Sequence, residues 1–210
     1  MTLAPQNAPG HYGLGLVYQR QQRLQEAITA FETVLTLDPN AVEASLAATA
    51  LAASATLGDL ALHETLTERF RTADNPQDRE RFLFSLSRFR DPECLARTLE
   101  LSLSGEVRTQ DAPYLLAATI ANRDNGERAW NFVAKHWDEA SNRFPANSIP
   151  RMISGIRSLR ERSVAHQAAA FLAEHPVPQG ELQVRQHLER MWVTVALNER
   201  ESPKLTAALS

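Results

Sequence analysis

Residue types that commonly bind metals or carry catalysis occur in this chain, but their spacing rarely lets two of them meet. The His-Glu dipeptide His63-Glu64 opens a zinc-binding helix pattern in which a second histidine must follow four residues after the first. Two imidazoles at i and i+4 share a helical face, which is why that spacing holds a metal. Here the position is Thr67, whose hydroxyl cannot replace imidazole as a zinc ligand. His11, His136, His166, His175 and His187 have no partner at ligand spacing on one helix. Cys94 stands alone, which excludes a disulfide framework and a thiolate metal cluster. It falls in an amphipathic stretch and reads as core rather than as a nucleophile.

Other chemistries fare similarly. Gly13-Leu14-Gly15 begins a phosphate-loop pattern but lacks the third glycine and a preceding strand. Asp138 and Glu139 are adjacent on an expected helix, so their carboxylates diverge and suit a solvated face better than acid/base work. The turn GEVRTQD is more promising, because it places Arg108, Gln110 and Asp111 together between two helices. Locally, Asp111 is expected to cap the following helix and Arg108 to pair with Glu106 or a helix end.

The elements that carry these residues belong to an ordinary globular chain. Its 210 residues can bury a sizeable core, and 43% are hydrophobic and 22% charged. A net charge of −3 calls for neither nucleic acid nor an acidic membrane surface as a partner. Among the 22 basic residues only Lys135 and Lys204 are lysine, but the arginines are scattered and form no phosphate-binding patch. Residues 1–7 show no basic region followed by an apolar one and read as a flexible N-terminus. The run Ala44 to Leu57 is too short for a bilayer and reads as a buried helix. A cytoplasmic location is the expectation.

Helical signals recur from end to end. Paired helices are expected over Pro9 to Arg20 and Leu24 to Leu37, then Ala41 to Leu57 and Leu60 to Thr72, with a break at Gly58-Asp59. Helices over Pro76 to Phe89 and Pro92 to Leu103 each carry proline in the first turn behind a capping residue, Asn75 or Asp91. Further helices run from Asp111 to Ala121, Gly126 to Phe144, Arg151 to Leu159, Val164 to Glu174 and Glu181 to Glu199, with a short tail after Pro203. Trp130, Val133, Trp137 and Phe144 share a helical face, as do Val184, Leu188, Met191 and Val195. Both tryptophans in the first stripe read as core. Short connections between successive helices imply antiparallel neighbours. The expected fold is all-α: an α-solenoid of antiparallel helix hairpins, a HEAT/armadillo-like superhelix, with a distinct hairpin at its N-terminus.

That hairpin, residues 8–41, resembles one tetratricopeptide repeat. Gly15 takes its close-packing position, with Leu14 and Tyr18 on the first helix, Ala27 and Phe31 on the second, and Pro39 ending it. His11 and Val34 depart from the pattern. The inward row would be Tyr12, Leu16 and Gln19, a set that offers little to a peptide carboxylate and suits a solenoid cap better.

From about Gly58 onward the chain resembles the C-terminal helical domain of aminopeptidase N-type zinc aminopeptidases. The resemblance rests on RFLFSLSRFRDPECLARTLELSLSGEVRTQDAPYLL, NGERAWNFVAKHWDEASNRFP, NSIPRMISGIRSL, AFLAEHPVP and LQVRQHLERMWVTVALNER, in that order. The domain is assigned to residues 42–210. The resemblance implies a superhelical bowl that covers the zinc site of a separate catalytic domain, encloses the chamber admitting the peptide, and moves to open and close it. Catalysis there belongs to an HExxH helix and a GAMEN segment, neither of which occurs in this chain. Zinc is therefore expected only in a separate domain, with no cofactor on this one. The resemblance also implies that Arg108, Gln110 and Asp111 can face the substrate chamber, where Arg108 would meet a peptide carboxylate. The expected partners are a zinc aminopeptidase catalytic domain or a peptide or protein ligand. A stand-alone interaction scaffold is the alternative.

Overall fold

A computed structural model describes residues 7–37 and 42–209, excluding the side chains at 35, 42–48 and 209. The flexible terminus expected over 1–7 (Asn7 excepted), Pro39 and the expected boundary at 41/42 lie outside the described residues. Every regular element among the described residues is helical: α1 (Ala8–Arg20), α2 (Leu24–Leu37), α3 (Val42–Leu57), α4 (Leu60–Thr72), α5 (Pro76–Leu86), α6 (Pro92–Ser104), α7 (Ala112–Ile120), α8 (Gly126–Lys135), α9 (Trp137–Arg143), α10 (Ile149–Met152), α11 (Arg162–Glu174) and α12 (Glu181–Leu209). Short 3-10 turns at Ala146–Ser148, Ile153–Ser158 and Pro178–Gly180 link the later helices. The chain divides into two compact units, Met1–Cys94 and Leu95–Ser210.

Side-chain caps start several of these helices. Asn7, Asp59, Asn75 and Asp91 each accept a hydrogen bond from a backbone N–H of the first turn, which satisfies a donor the helix itself cannot pair. In the first unit α1, α2 and α3 pack together, and α4 packs on α5. A Cβ at Gly15 would stand 2.4 Å from Phe31 Cε1, so only glycine admits this close approach of α1 and α2. Phe31, Ala27, Val34 and Ala50 form the fully enclosed centre, and Tyr12, Leu16 and Tyr18 pack against it. Arg69 of α4 pairs with Glu32 of α2. Burial nonetheless pushes the Glu32 carboxyl above its usual range, with Arg69 opposing the rise.

In the second unit α7 packs on α8, on α10 and on the Ile153–Ser158 turn, while α11 and that turn both support α12. Trp130 and Trp137 meet the ring of Phe171 edge-on, with centroids 5.7 and 5.4 Å apart. Both tryptophans are buried, as expected of core residues. Met191 and Val195 seat α12, Thr194 Oγ1 donates to Arg157 O at 2.8 Å, and Arg162 grips Glu199 through two hydrogen bonds.

Four sequence expectations are corrected. The helix expected over 126–144 is two, α8 and α9, bent at His136, whose ψ of 23° leaves the helical range while its imidazole stacks on Phe132 at 4.4 Å. The helix expected over 76–89 ends at Leu86, because Ser87 Oγ takes the Phe84 carbonyl at 2.7 Å and the last turn tightens. The helix expected over 151–159 is instead the end of α10, which starts at Ile149, followed by the Ile153–Ser158 3-10 turn and an extended Leu159. The chain does not trail off after Pro203: α12 continues to Leu209 with this proline inside it. Proline removes one N–H and crowds the preceding turn, and an exposed helix end accommodates that more readily than a packed interior does.

His187 ties α12 to α10 by donating from Nε2 to Pro150 O at 3.2 Å. Burial holds this imidazole below its ordinary pKa, Arg157 and Arg190 add to the depression, and the bond to Pro150 opposes it. A depressed folded-state value means that the unfolded chain binds the proton more tightly. Stability is therefore complete above about pH 6.5, the ordinary histidine value, and declines as pH falls toward the folded pKa. The melting-temperature difference between wild type and His187→Gln is expected to shrink as the buffer is taken from neutral to mildly acidic. A difference that stays constant with pH would refute this.

Candidate functional site

The α6–α7 turn is ordered from both ends. Gly105, at φ +101°, closes α6 in the left-handed region that L side chains avoid. Arg143 of α9 donates to Leu103 O, placing a cation on the carbonyl end of α6, where the helix dipole is negative. Val107 is 3% exposed and plugs the turn into the core. The Arg108 carbonyl then leads into α7, accepting from Asp111 N at 2.9 Å and from Ala112 N at 3.0 Å.

On this frame Arg108, Thr109 and Gln110 are exposed and Asp111 is half-buried. Arg108 Nε pairs with Asp111 Oδ2 at 3.0 Å. This replaces the expected local arrangement in two respects. Arg108 pairs with Asp111 rather than with Glu106 or a helix end, and the Asp111 side chain does not cap α7. Asp111 sits at φ −94°, ψ −33°, a helical conformation rather than the extended one that aims a capping side chain at the first-turn N–H groups. Its backbone carbonyl still begins the helix, accepting from Tyr114 N and Leu115 N.

One turn further along α7, Tyr114 is 41% exposed. Arg151 of α10 donates to its hydroxyl and lies over its ring, 5.4 Å from the centroid. Sequence reasoning missed this pair, since the two residues are remote in the chain and nothing in the local pattern joins them. The Arg108–Asp111 pair, by contrast, has the i, i+3 spacing of opposite charges that signals a helix-start ion pair.

The row Tyr12, Leu16 and Gln19 faces the helices of its own unit. The Tyr12 ring lies 6.0 Å from that of Phe31, and Leu16 packs on the same cluster. Gln19 Nε2 donates to Ser54 Oγ at 3.1 Å and to Ala50 O at 3.3 Å, both on α3. A groove of about 410 Å³ elsewhere on the hairpin is lined instead by His11, Leu14, Tyr18, Ala30 and polar residues of α2.

The described residues do not fit a zinc ion. His63 is 3% exposed with its ring edge on Phe89, and the Thr67 hydroxyl bonds the His63 carbonyl at 2.8 Å. No group of three metal-ligating side chains converges among the described residues. Among the same residues no helix is long and apolar enough to cross a membrane.

Every regular element among the described residues is helical, and the α6–α7 turn presents charged side chains beside the exposed Tyr114. The chain belongs to the ERAP1-like C-terminal domain family, which matches residues 12–191. The match includes most of the α1–α2 hairpin. Similar proteins include Aminopeptidase M1 of Arabidopsis thaliana, 28% identical over 207 residues that cover 92% of this chain and 23% of the relative. Aminopeptidase M1-B of Oryza sativa subsp. japonica is 27% identical over 154 residues, covering 70% of this chain and 17% of the relative. Endoplasmic reticulum aminopeptidase 2 of Bos taurus is 32% identical over 96 residues, 44% of this chain and 10% of the relative. The chain thus spans less than a quarter of the length of these relatives and corresponds to a C-terminal domain of an aminopeptidase.

Proposed function

We propose that this domain walls a peptide-admitting chamber. It would enclose substrate and close against a zinc-bearing catalytic domain that its own sequence does not contain. The helices would stack as an α-solenoid, with the α1–α2 hairpin as its first unit, and the turn carrying Arg108, Gln110 and Asp111 would face the substrate. The reading is carried by the family match over residues 12–191. It is supported by the order of the turn, because a guanidinium held on Asp111 is presented in one geometry before any ligand arrives. Both Nη groups of Arg108 remain to meet a carboxylate.

The test pairs the purified chain with the catalytic portion of a family aminopeptidase. The chain alone with zinc should not hydrolyse an aminoacyl chromogenic substrate, and the pair should cleave peptides. Arg108→Ala should raise KM for a peptide with a free C-terminal carboxylate by about tenfold, the worth of one charge-assisted hydrogen bond, and leave the small substrate unaffected. Turnover by the chain alone would overturn the non-catalytic reading. Failure to associate would favour the scaffold alternative, for which the groove lined by His11, Leu14 and Tyr18 offers a surface.

A further inference from the structure

Asn125-Gly126 is the one Asn-Gly dipeptide in the chain, and it stands where the turn after α7 becomes α8. Packing compels the glycine. A Cβ on Gly126 would stand 2.5 Å from Ile120 O, a backbone atom of α7 that cannot turn aside. The asparagine before it is the N-cap residue of α8 and is only 5% exposed. Together the two residues carry a chemical liability in an unfolded chain. With no Cβ on the following residue, the Gly126 nitrogen is unhindered. It loses its proton to hydroxide and attacks Asn125 Cγ. The Cγ–Nδ2 bond then breaks, ammonia leaves and a cyclic succinimide remains. Water opens that ring at either carbonyl. One opening gives aspartate on the original backbone; the other gives isoaspartate, whose main chain runs through Cβ and Cγ and is one carbon longer.

The fold holds this reaction shut. Ring closure needs the Gly126 nitrogen to lie over the Asn125 side chain, eclipsing Cβ about the Cα–C bond, and a ψ of 12° turns the nitrogen away. The backbone is pinned on both sides of that bond. Asn122 Oδ1 accepts from Asp124 N at 3.0 Å and from Asn125 N at 3.1 Å. Asn125 O accepts from Ala129 N at 3.0 Å in the first turn of α8. That carbonyl and the Gly126 nitrogen belong to one planar peptide, so the nitrogen cannot swing without disturbing the helical bond.

We propose that Asn125-Gly126 is a deamidation site closed by the fold, where isoaspartate marks chains that have opened the α7–α8 turn and keeps them from regaining this packing. The extra backbone carbon displaces Gly126 from the Ile120 carbonyl, where the close approach leaves no room. The aspartate product differs. It keeps the backbone spacing, and a carboxylate at a helix N-terminus meets the positive end of the helix dipole. The block therefore comes from the lengthened chain rather than from the added charge.

The full chain is incubated in mildly alkaline buffer with and without denaturing urea. Peptide mass spectrometry follows the Asn125 amide, and isoaspartate is scored by enzymatic methylation. Amide loss is expected to be at least about tenfold slower in native buffer, because only the opened fraction reacts. After dilution from urea, chains carrying isoaspartate should lack the native melting transition. Freshly unfolded Asn125→Asp should refold, and Asn125→Ser, which cannot close the ring, should refold even after the long incubation. Equal rates of amide loss with and without urea overturn the protection. The block is overturned by isoaspartate chains that regain the wild-type melting temperature, or by Asn125→Ser losing its refolding as fast as wild type. Failure of fresh Asn125→Asp to refold overturns it as well, by assigning the effect to charge.

Discussion

Replacing Trp130 with alanine is expected to remove about 3–5 kcal/mol of stability, the usual cost of deleting a large aromatic from a packed core. The indole is 1% exposed and meets Phe171 edge-on, 5.7 Å between centroids and 88° between planes. Phe171 also carries Trp137 and stacks on His175 at 3.9 Å, so the cavity would open at the centre of an aromatic group joining α8, α9 and α11. Edge-to-face pairs add about 0.5–1.5 kcal/mol beyond area burial, which places Trp130 at the upper end of that range. Urea titration should show the midpoint falling sharply in Trp130→Ala and only partly in Trp130→Phe. A midpoint unchanged in Trp130→Ala would show that this ring is not core.

The second large effect concerns a residue with no side chain. A Cβ on Gly155 would stand 2.2 Å from Ala117 O and 2.7 Å from Ile120 Cβ. The nearer atom belongs to the backbone of α7 and cannot rotate aside, so Gly155→Ala must push the Ile153–Ser158 turn away from that helix. Overpacking of this kind costs about 1–3 kcal/mol and occasionally more; a backbone obstacle argues for the upper end. Gly13→Ala serves as the comparison. Nothing stands within 4 Å of its Cβ, and alanine within an exposed helix is favoured over glycine by about 0.5–1 kcal/mol. Thermal melts should therefore move in opposite directions for the two substitutions. Equal shifts, or a stabilised Gly155→Ala, would contradict the packing described. Because α7 and α10 carry Tyr114 and Arg151, Gly155→Ala should also weaken the contact between them.

Residues that act within one turn of themselves were the most legible in the sequence. Asn75 and Asp91, each before a proline, mark helix starts because the cap and the ring both act on the first turn. The α2 and α4 boundaries follow from apolar spacing for the same reason. The repeat-like pattern marked Gly15 as a close-packing position, and the structure sets the Phe31 ring against it, a partner the pattern did not supply. What local pattern could not show was bending and distance. The stripe Trp130, Val133, Trp137 and Phe144 continues across His136, since Ala140 N still bonds His136 O at 2.9 Å while ψ departs from helical. Pro203 reads as a stop but lies where exposure makes its disturbance tolerable. Asp111 has the right residue type for a cap and the wrong backbone conformation. Of the candidate site, Arg108 and Asp111 were visible as neighbours, whereas the Tyr114–Arg151 contact depends on α10 folding back onto α7.

The amide of Gln19 bears on how this domain can be divided. Its Nε2 donates to Ala50 O and Ser54 Oγ of α3, while Tyr12 and Leu16 of the same row pack on the buried cluster. The α1–α2 hairpin is therefore not a portable cassette. Grafted alone into another helical array, it would carry a half-buried amide needing a matching acceptor and an apolar row needing a matching floor. Any excision that keeps the hairpin intact has to cut beyond α3.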